Sequence, residues 1–229
     1  MKREPQDWPL AVVFDLDGTL IDSAGDLADA LNYTLGLRGF KPLPVAQVKQ
    51  MVGGGIPKLV ERGLRAHGVP DIELLPLAAD FLNYYRNNLV RRTALYEGAA
   101  ELLEKLKREG RRLGLCTNKQ HQFTMEIAEK LGVAKYFIAI NGEREGQPRK
   151  PDPAPLLSVL RTLGVSPQDA VMVGDMSADV ECAKAAGVAP VVVRYGYARV
   201  RPEELGAAAI IDRLADLPEC LARLRPAKE

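Results

Sequence analysis

Two aspartates one residue apart, Asp15 and Asp17, open the segment Asp15-Leu16-Asp17-Gly18-Thr19-Leu20. Asp, Asp, Gly and Thr at these offsets arise by chance on the order of once per 10⁵ start positions, at roughly 5–7% for each residue. Asp-Gly alone is also common turn chemistry. Two carboxylates so close repel one another: unit charges about 4 Å apart cost on the order of 4 kcal/mol at an effective dielectric near 20. The pair therefore needs a cation, or one carboxyl must keep its proton. Both suit phosphoryl transfer, in which a hard, oxygen-preferring Mg²⁺ neutralises nucleophile and substrate oxygens while a protonated carboxyl serves as general acid.

Three further segments carry groups of matching chemistry. Val171-Met172-Val173-Gly174-Asp175 places another acid after an apolar run, with Asp179 four residues on. Gly174 allows close backbone approach, and a helix starting after Asp175 would turn Asp179 to the same side. Asp179 could equally cap that helix. Leu115-Cys116-Thr117-Asn118 brings a hydroxyl to another strand end, where Thr117 and Asn118, with N–H groups of a helix start, could hold phosphate oxygens; by itself Thr-Asn is also an N-cap pair. In Lys150-Pro151-Asp152-Pro153, Pro151 favours extended backbone at Lys150, and Asp152 with Pro153 starts a helix. A lysine there could offset phosphate and aspartate charge; alone it reads as a surface lysine.

These groups need a scaffold that delivers several strand ends to one place. Leu10 to Phe14 is a short continuous apolar run, as expected of a strand buried on both faces of a parallel sheet. Similar runs recur at Arg112 to Cys116, Tyr136 to Ile140, Ala170 to Val173 and Ala189 to Val193. Between them, Ala99, Leu102, Leu103 and Leu106 have helical spacing up to Gly110, and Leu156, Val159, Leu160 and Leu163 repeat it up to Gly164. This alternation predicts an α/β fold with a doubly wound, mainly parallel sheet, whose ligands sit at the carboxyl ends of its strands.

From about Asp22 to Arg92 the rhythm breaks. Leu27, Ala30, Leu31 and Thr34 have helical spacing, and helix-like segments follow at Val45 to Met51, Ile56 to Ala66 and Leu74 to Asn88. A helical domain over 22–92 is expected, inserted after the first strand of a core made of 1–21 and 93–229. Ser23 with Asp26 makes a capping-box-like entrance, and hinges are expected near Ile21 to Ala24 and Asn88 to Leu95, letting the insertion close over Asp15.

The bulk numbers exclude several classes. A chain of 229 residues with 47% hydrophobic content can bury a proper core, and 27% charge does not suggest disorder. Thirty-one Lys and Arg against 30 Asp and Glu give no general pull toward nucleic acid or an anionic membrane. Cys116, Cys182 and Cys220 are odd in number and widely spaced, which predicts reduced thiols. The start at Met1-Lys2-Arg3-Glu4 and the short run before Asp15 suit neither a signal peptide nor a membrane span, so a cytoplasmic protein is expected. Oligomeric state is left at monomer or homodimer.

Taken in order, the four motifs resemble those of the haloacid dehalogenase superfamily of phosphohydrolases: an Asp-x-Asp pair, a Ser or Thr, a Lys and a terminal acidic pair. The helical insertion resembles that superfamily's cap. The resemblance implies that Asp15 attacks phosphorus to form an aspartyl phosphate, and that Asp17 protonates the leaving alkoxide and then activates water. It implies that Thr117 binds the phosphoryl group and Lys150 stabilises its charge. Mg²⁺ would be held by Asp15, Asp175 and the main-chain oxygen of Asp17, with Asp179 as ligand or support. The dehalogenase branch lacks the second aspartate of the first motif, so Asp17 favours phosphate chemistry. Thr19 is typical of the phosphatases, where phosphosugar mutases of the group usually carry Val.

Asp22 to Leu27 and Val52-Gly53-Gly54-Gly55 look like segments of the phosphoglycolate phosphatases, which makes 2-phosphoglycolate the expected substrate. Gly53, Gly54 and Gly55 could bring N–H groups to a small carboxylate, or simply form a flexible turn; Lys58 and Arg62, one and two helical turns on, could meet the same carboxylate. Asn141 to Gln147 departs from the Gly-Gly-Asp pattern expected there. A pyrophosphatase or a broad phosphosugar phosphatase would share the catalytic set. A receiver-type phosphoacceptor is about half this length and lacks the insertion, and a non-catalytic binding module would show a damaged motif.

Overall fold

The computed structural model describes residues 8–69 and 74–224. The N-terminal tetrapeptide read above lies outside the described residues, as do the last five residues of the expected core. The chain divides into two compact units, one of residues 1–21 and 95–229, the other of residues 22–94.

The larger unit is built on strand β1 (Ala11–Phe14), fully buried along its length. β2 (Ile21–Asp22) and β3 (Ala94–Leu95) form a separate two-stranded sheet, and the unit boundaries fall within these two strands. The smaller unit holds α1 (Ala24–Gly36), α2 (Val45–Lys49), α3 (Ile56–Ala66) and α4 (Leu74–Arg86). Helix α1 packs on the other three, burying Leu27, Leu31 and Leu35 with Leu59, Leu64, Phe81 and Tyr85. Each such side chain contributes about 1.5–3 kcal/mol, which propensity alone could not give helices this short.

After β3 the chain alternates: α5 (Ala99–Arg108), β4 (Arg112–Gln120), α6 (His121–Lys130), β5 (Ala139–Glu143), α7 (Ala154–Leu163), β6 (Ala170–Gly174), α8 (Ser177–Ala185), β7 (Ala189–Val193), β8 (Ala209–Ile211) and α9 (Leu217–Leu224). The sheet order is β5-β4-β1-β6-β7-β8, and every pairing is parallel. From β1 the chain runs outward through β4 and β5, then returns to β6 on the other side of β1 and continues outward through β7 and β8, so the strand order reverses at β1, the topological switch point. The α/β expectation holds. One strand differs in place: the run expected at Tyr136 to Ile140 is a 3-10 turn at Ala134–Tyr136 followed by β5 from Ala139. Ala11, Val13, Cys116, Met172 and Cys182 share a buried cluster with Leu156, Val159, Leu160 and Leu163 of α7. All three cysteines are free.

Candidate active site

Parallel register sets the site. Phe14 pairs with Leu115 on one side and Val173 on the other, so Asp15 and Asp175 emerge just beyond the carboxyl ends of β1 and β6, and Thr117 lies two residues past Leu115 within the adjacent β4. The Asp15 N–H continues the ladder to the Val173 carbonyl at 2.8 Å. Lys150 comes from the segment between β5 and α7 and is only 4% exposed. It is no surface lysine.

Its Nζ donates to Asp15 Oδ1 at 2.7 Å, Asp179 Oδ1 at 2.5 Å and the Cys116 carbonyl at 2.7 Å. All three donor positions of the ammonium are used. Asp15, Asp175 and Asp179 can bring one oxygen each within 4.8 Å of one another. Three buried carboxylates face one ammonium. Burial pushes Asp15 up to about 6, with Asp179 adding to the rise and Lys150 opposing it. Burial, then Asp179 and Asp15, hold Asp175 well above the carboxylate range. Burial alone would lower Lys150, but Asp15 and Asp179 outweigh it and hold the group well above its ordinary value. The cluster is thus short of positive charge and consists of oxygen donors, which fits a hard divalent cation.

Asp175 is fixed from two sides: Oδ2 accepts the Tyr197 N–H at 2.6 Å, and Thr19 Oγ1 approaches Oδ1 at 3.4 Å. Gly18, at φ +82°, passes so near that a Cβ there would fall 2.4 Å from Asp175 Oδ2. A Cβ on Gly174 would likewise fall 2.4 Å from Asp179, so the close approach expected at this glycine is present. Asp179 Oδ2 accepts the N–H groups of Asp175 and Met176 at 3.1 and 3.0 Å, capping α8, while Oδ1 anchors Lys150. Asp179 thus caps α8 and also lies on the same side as Asp175.

Thr117 and Asn118 do not stand at a helix start; α6 begins at His121. Cys116 pairs with Asn141 and Gln120 with Glu143, so four steps on β4 match two on β5. The two extra residues make a bulge, a device that re-aims side chains. Thr117 is 6% exposed beside the Cys116 carbonyl that takes the Lys150 ammonium. Asn118 turns to Lys150 instead: its Nδ2 donates to the Lys150 carbonyl at 2.8 Å and its Oδ1 accepts the Lys150 N–H at 2.9 Å.

Lys119, which sequence reasoning passed over, turns to the first motif. Its Nζ lies 3.0 Å from Asp17 Oδ1 and 3.1 Å from Oδ2, and its side chain is 6% exposed. Its place beside Thr117 was the available signal, but the direction of its side chain depends on the bulge.

Gly53, Gly54, Gly55, Lys58 and Arg62 belong to the helical unit. The three glycines have φ of +103°, +84° and +88°, a run that side-chain-bearing residues rarely adopt. The Arg62 guanidinium donates to the carbonyls of Met51 and Gly53, bracing this loop. Lys58 pairs with Glu61 at 2.7 Å.

The sequence model of the haloacid dehalogenase-like hydrolases matches residues 12–193. A phosphoglycolate phosphatase of Rhodospirillum rubrum is 43% identical over 224 residues, 95% of this chain and 93% of that protein. A phosphoglycolate phosphatase of Pseudomonas fluorescens is 40% identical, over 93% of this chain and 80% of the other. The crystal structure of a predicted phosphoglycolate phosphatase from Haemophilus somnus superposes with a TM-score of 0.87 at 28% identity, covering 94% of this chain and 99% of its own. With the family model spanning most of the chain and its motifs gathered toward the carboxyl ends of the central strands, the chain belongs to the haloacid dehalogenase-like hydrolases.

Proposed function

We propose that this protein is a Mg²⁺-dependent phosphatase that hydrolyses 2-phosphoglycolate to glycolate and phosphate through an aspartyl phosphate on Asp15. The observation that carries the reading is the buried Asp15–Lys150–Asp179 array with Asp175 beside it. The names of the relatives supply the substrate.

Asp15 is the nucleophile. With its pKa near 6 it is mostly ionised at neutral pH, and Lys150 orients the carboxylate. A carboxylate oxygen attacks phosphorus, the bond from phosphorus to the ester oxygen breaks, and the leaving alkoxide takes a proton from Asp17. Asp17 then takes a proton from water, whose oxygen attacks phosphorus and returns Asp15 as carboxylate with release of phosphate. Thr117 donates its hydroxyl to a phosphoryl oxygen, and Lys150 balances the charge that Asp15 and the phosphoryl group share. Asp15, Asp175 and the main-chain oxygen of Asp17 would hold the cation, with Asp179 in support; bound there, it supplies positive charge to the phosphoryl oxygens.

Asn118 acts on this machinery through Lys150, by clamping its backbone. The helical unit enters the chain only a few residues after Asp15, and its glycine loop is braced by Arg62. Among the described residues no helix is long and apolar enough to cross a membrane; with three unpaired thiols, this supports a reducing, cytoplasmic setting.

The test is kcat/KM for 2-phosphoglycolate beside phosphosugars, pyrophosphate and nucleoside monophosphates, with Mg²⁺ and with EDTA. A lead of about a hundredfold for 2-phosphoglycolate, roughly 2.7 kcal/mol of discrimination, is the expected result. A lead for another ester would remove the substrate assignment, and turnover that survives EDTA would remove the metal.

A further inference from the structure

A small carboxylated ester poses a recognition problem that the helical unit does not visibly solve. The two basic residues there that suggested themselves are occupied: Arg62 holds the carbonyls of Met51 and Gly53, and Lys58 pairs with Glu61. Gly53 to Gly55 offer backbone N–H groups but no formal charge.

The core unit holds a cation at a more telling place. Lys119 Nζ sits within 3.0–3.1 Å of both oxygens of Asp17. In the mechanism above, Asp17 must come within hydrogen-bond reach, about 2.6–3.2 Å, of the ester oxygen it protonates. In a 2-phospho-carboxylate the carboxylate carbon lies only two bonds of about 1.5 Å from that same oxygen. The leaving group's carboxylate therefore lies at most about 9 Å from the Lys119 ammonium, and with the two bonds turned toward it comes within a few ångströms. A part-buried ammonium at this spot is matched in charge and reach to a leaving group with an anionic end.

We infer that Lys119 is a specificity-determining residue that reads the substrate's carboxylate, its ammonium being shared between Asp17 and the anionic end of the leaving group. This rests on the proposed phosphatase reading and deepens it, by moving selectivity for the acid from the inserted unit to the bulge of β4. The bulge carries three successive assignments: Thr117 to the phosphoryl group, Asn118 to Lys150, and Lys119 to the carboxylate. A regular β4 could not distribute them so, because alternate side chains would point to opposite faces of the sheet.

The experiment compares 2-phosphoglycolate with 2-hydroxyethyl phosphate, an ester of equal length whose end is neutral, in wild type, Lys119→Met, Lys119→Gln and Lys119→Arg, each checked for thermal unfolding. Lys119 also touches Asp17, so both esters lose rate in the neutral variants; the ratio of the two kcat/KM values isolates the carboxylate. Wild type should favour 2-phosphoglycolate by about a hundredfold, the discrimination expected of a desolvated charge pair. In Lys119→Met the ratio should collapse to within about threefold of unity, and Lys119→Arg should keep most of it. Lys119→Gln, which can still donate to Asp17, carries the same expectation as Lys119→Met and serves if that variant does not fold. Equal losses for both esters, with the wild-type ratio kept, would overturn the inference and leave the phosphatase reading standing. A wild type that hydrolyses both esters equally well would overturn the inference together with the phosphoglycolate assignment.

Discussion

Asn118 and Lys150 hold each other through a reciprocal pair of hydrogen bonds, Asn118 Nδ2 to the Lys150 carbonyl at 2.8 Å and the Lys150 N–H to Asn118 Oδ1 at 2.9 Å. Thirty-two residues separate them in sequence, yet the side chain of one mimics a backbone partner for the other. The clamp fixes the stem from which the buried ammonium reaches Asp15 and Asp179. Asn118→Ala removes both bonds, worth about 1–3 kcal/mol. If that energy positions Lys150, kcat should fall about tenfold to a hundredfold with a smaller change in KM. Steady-state kinetics with a thermal melt separates this from simple unfolding: a melt unchanged beside a wild-type kcat would refute the positioning role.

Asp26 does comparable work inside the helical unit. Its carboxylate, 1% exposed, accepts the N–H groups of Arg91, Arg92 and Thr93 and the Thr93 hydroxyl, at 2.7–3.1 Å. It ties the start of α1 to the segment that leaves the unit at its far end. Asp26→Ala leaves these donors without their acceptor and should cost about 2–4 kcal/mol. Urea unfolding measures it, and a loss below about 0.5 kcal/mol would show that water replaces the carboxylate.

The raised pKa values of Asp15 and Asp175 give stability a sign with pH. Burial lifts Asp15 from the ordinary aspartate value near 4 to about 6, so across that window the folded, metal-free chain holds protons that the unfolded chain has released. Stability then falls as pH rises from about 4 to 6, and Asp175 acts in the same sense. After EDTA treatment the melting temperature should drop across this range. Added Mg²⁺, which binds ionised carboxylates, should raise it more at pH 7 than at pH 5. A metal-free melting temperature that climbs through the window would contradict the picture.

Much of this site is legible in the chain because its signals are local. Asp15 and Asp175 each follow a short apolar run of the kind expected of a buried strand, Asp17 lies two residues beyond Asp15, and a parallel sheet brings such ends together. Asp152 and Pro153 mark the start of α7, and Asp152 Oδ1 does accept the Ala154 N–H at 2.8 Å. What local patterns could not supply is register. The mismatch of Cys116–Gln120 against Asn141–Glu143 is a property of two strands, so the separate tasks of Asn118 and Lys119 were hidden behind a plain Thr-Asn-Lys. For the same reason β5 begins later than its apolar run suggested. Arg62 illustrates another limit: its partners, the carbonyls of Met51 and Gly53, cannot be read from its place two helical turns beyond the glycine loop.

The central claim is that Asp15 carries the phosphoryl group, and direct trapping tests it. Asp17→Asn removes both the acid for the leaving alkoxide and the base for hydrolysis, so the probe is a ³²P-labelled aryl phosphate, whose leaving group needs no proton. With hydrolysis slowed, an acid quench after mixing with this variant and Mg²⁺ should leave label on the protein. Peptide mapping should place that label on Asp15, and Asp15→Asn in the same background should abolish it along with turnover. Label on another residue, or an Asp15→Asn enzyme that still turns over at more than a trace of the wild-type rate, would contradict the account.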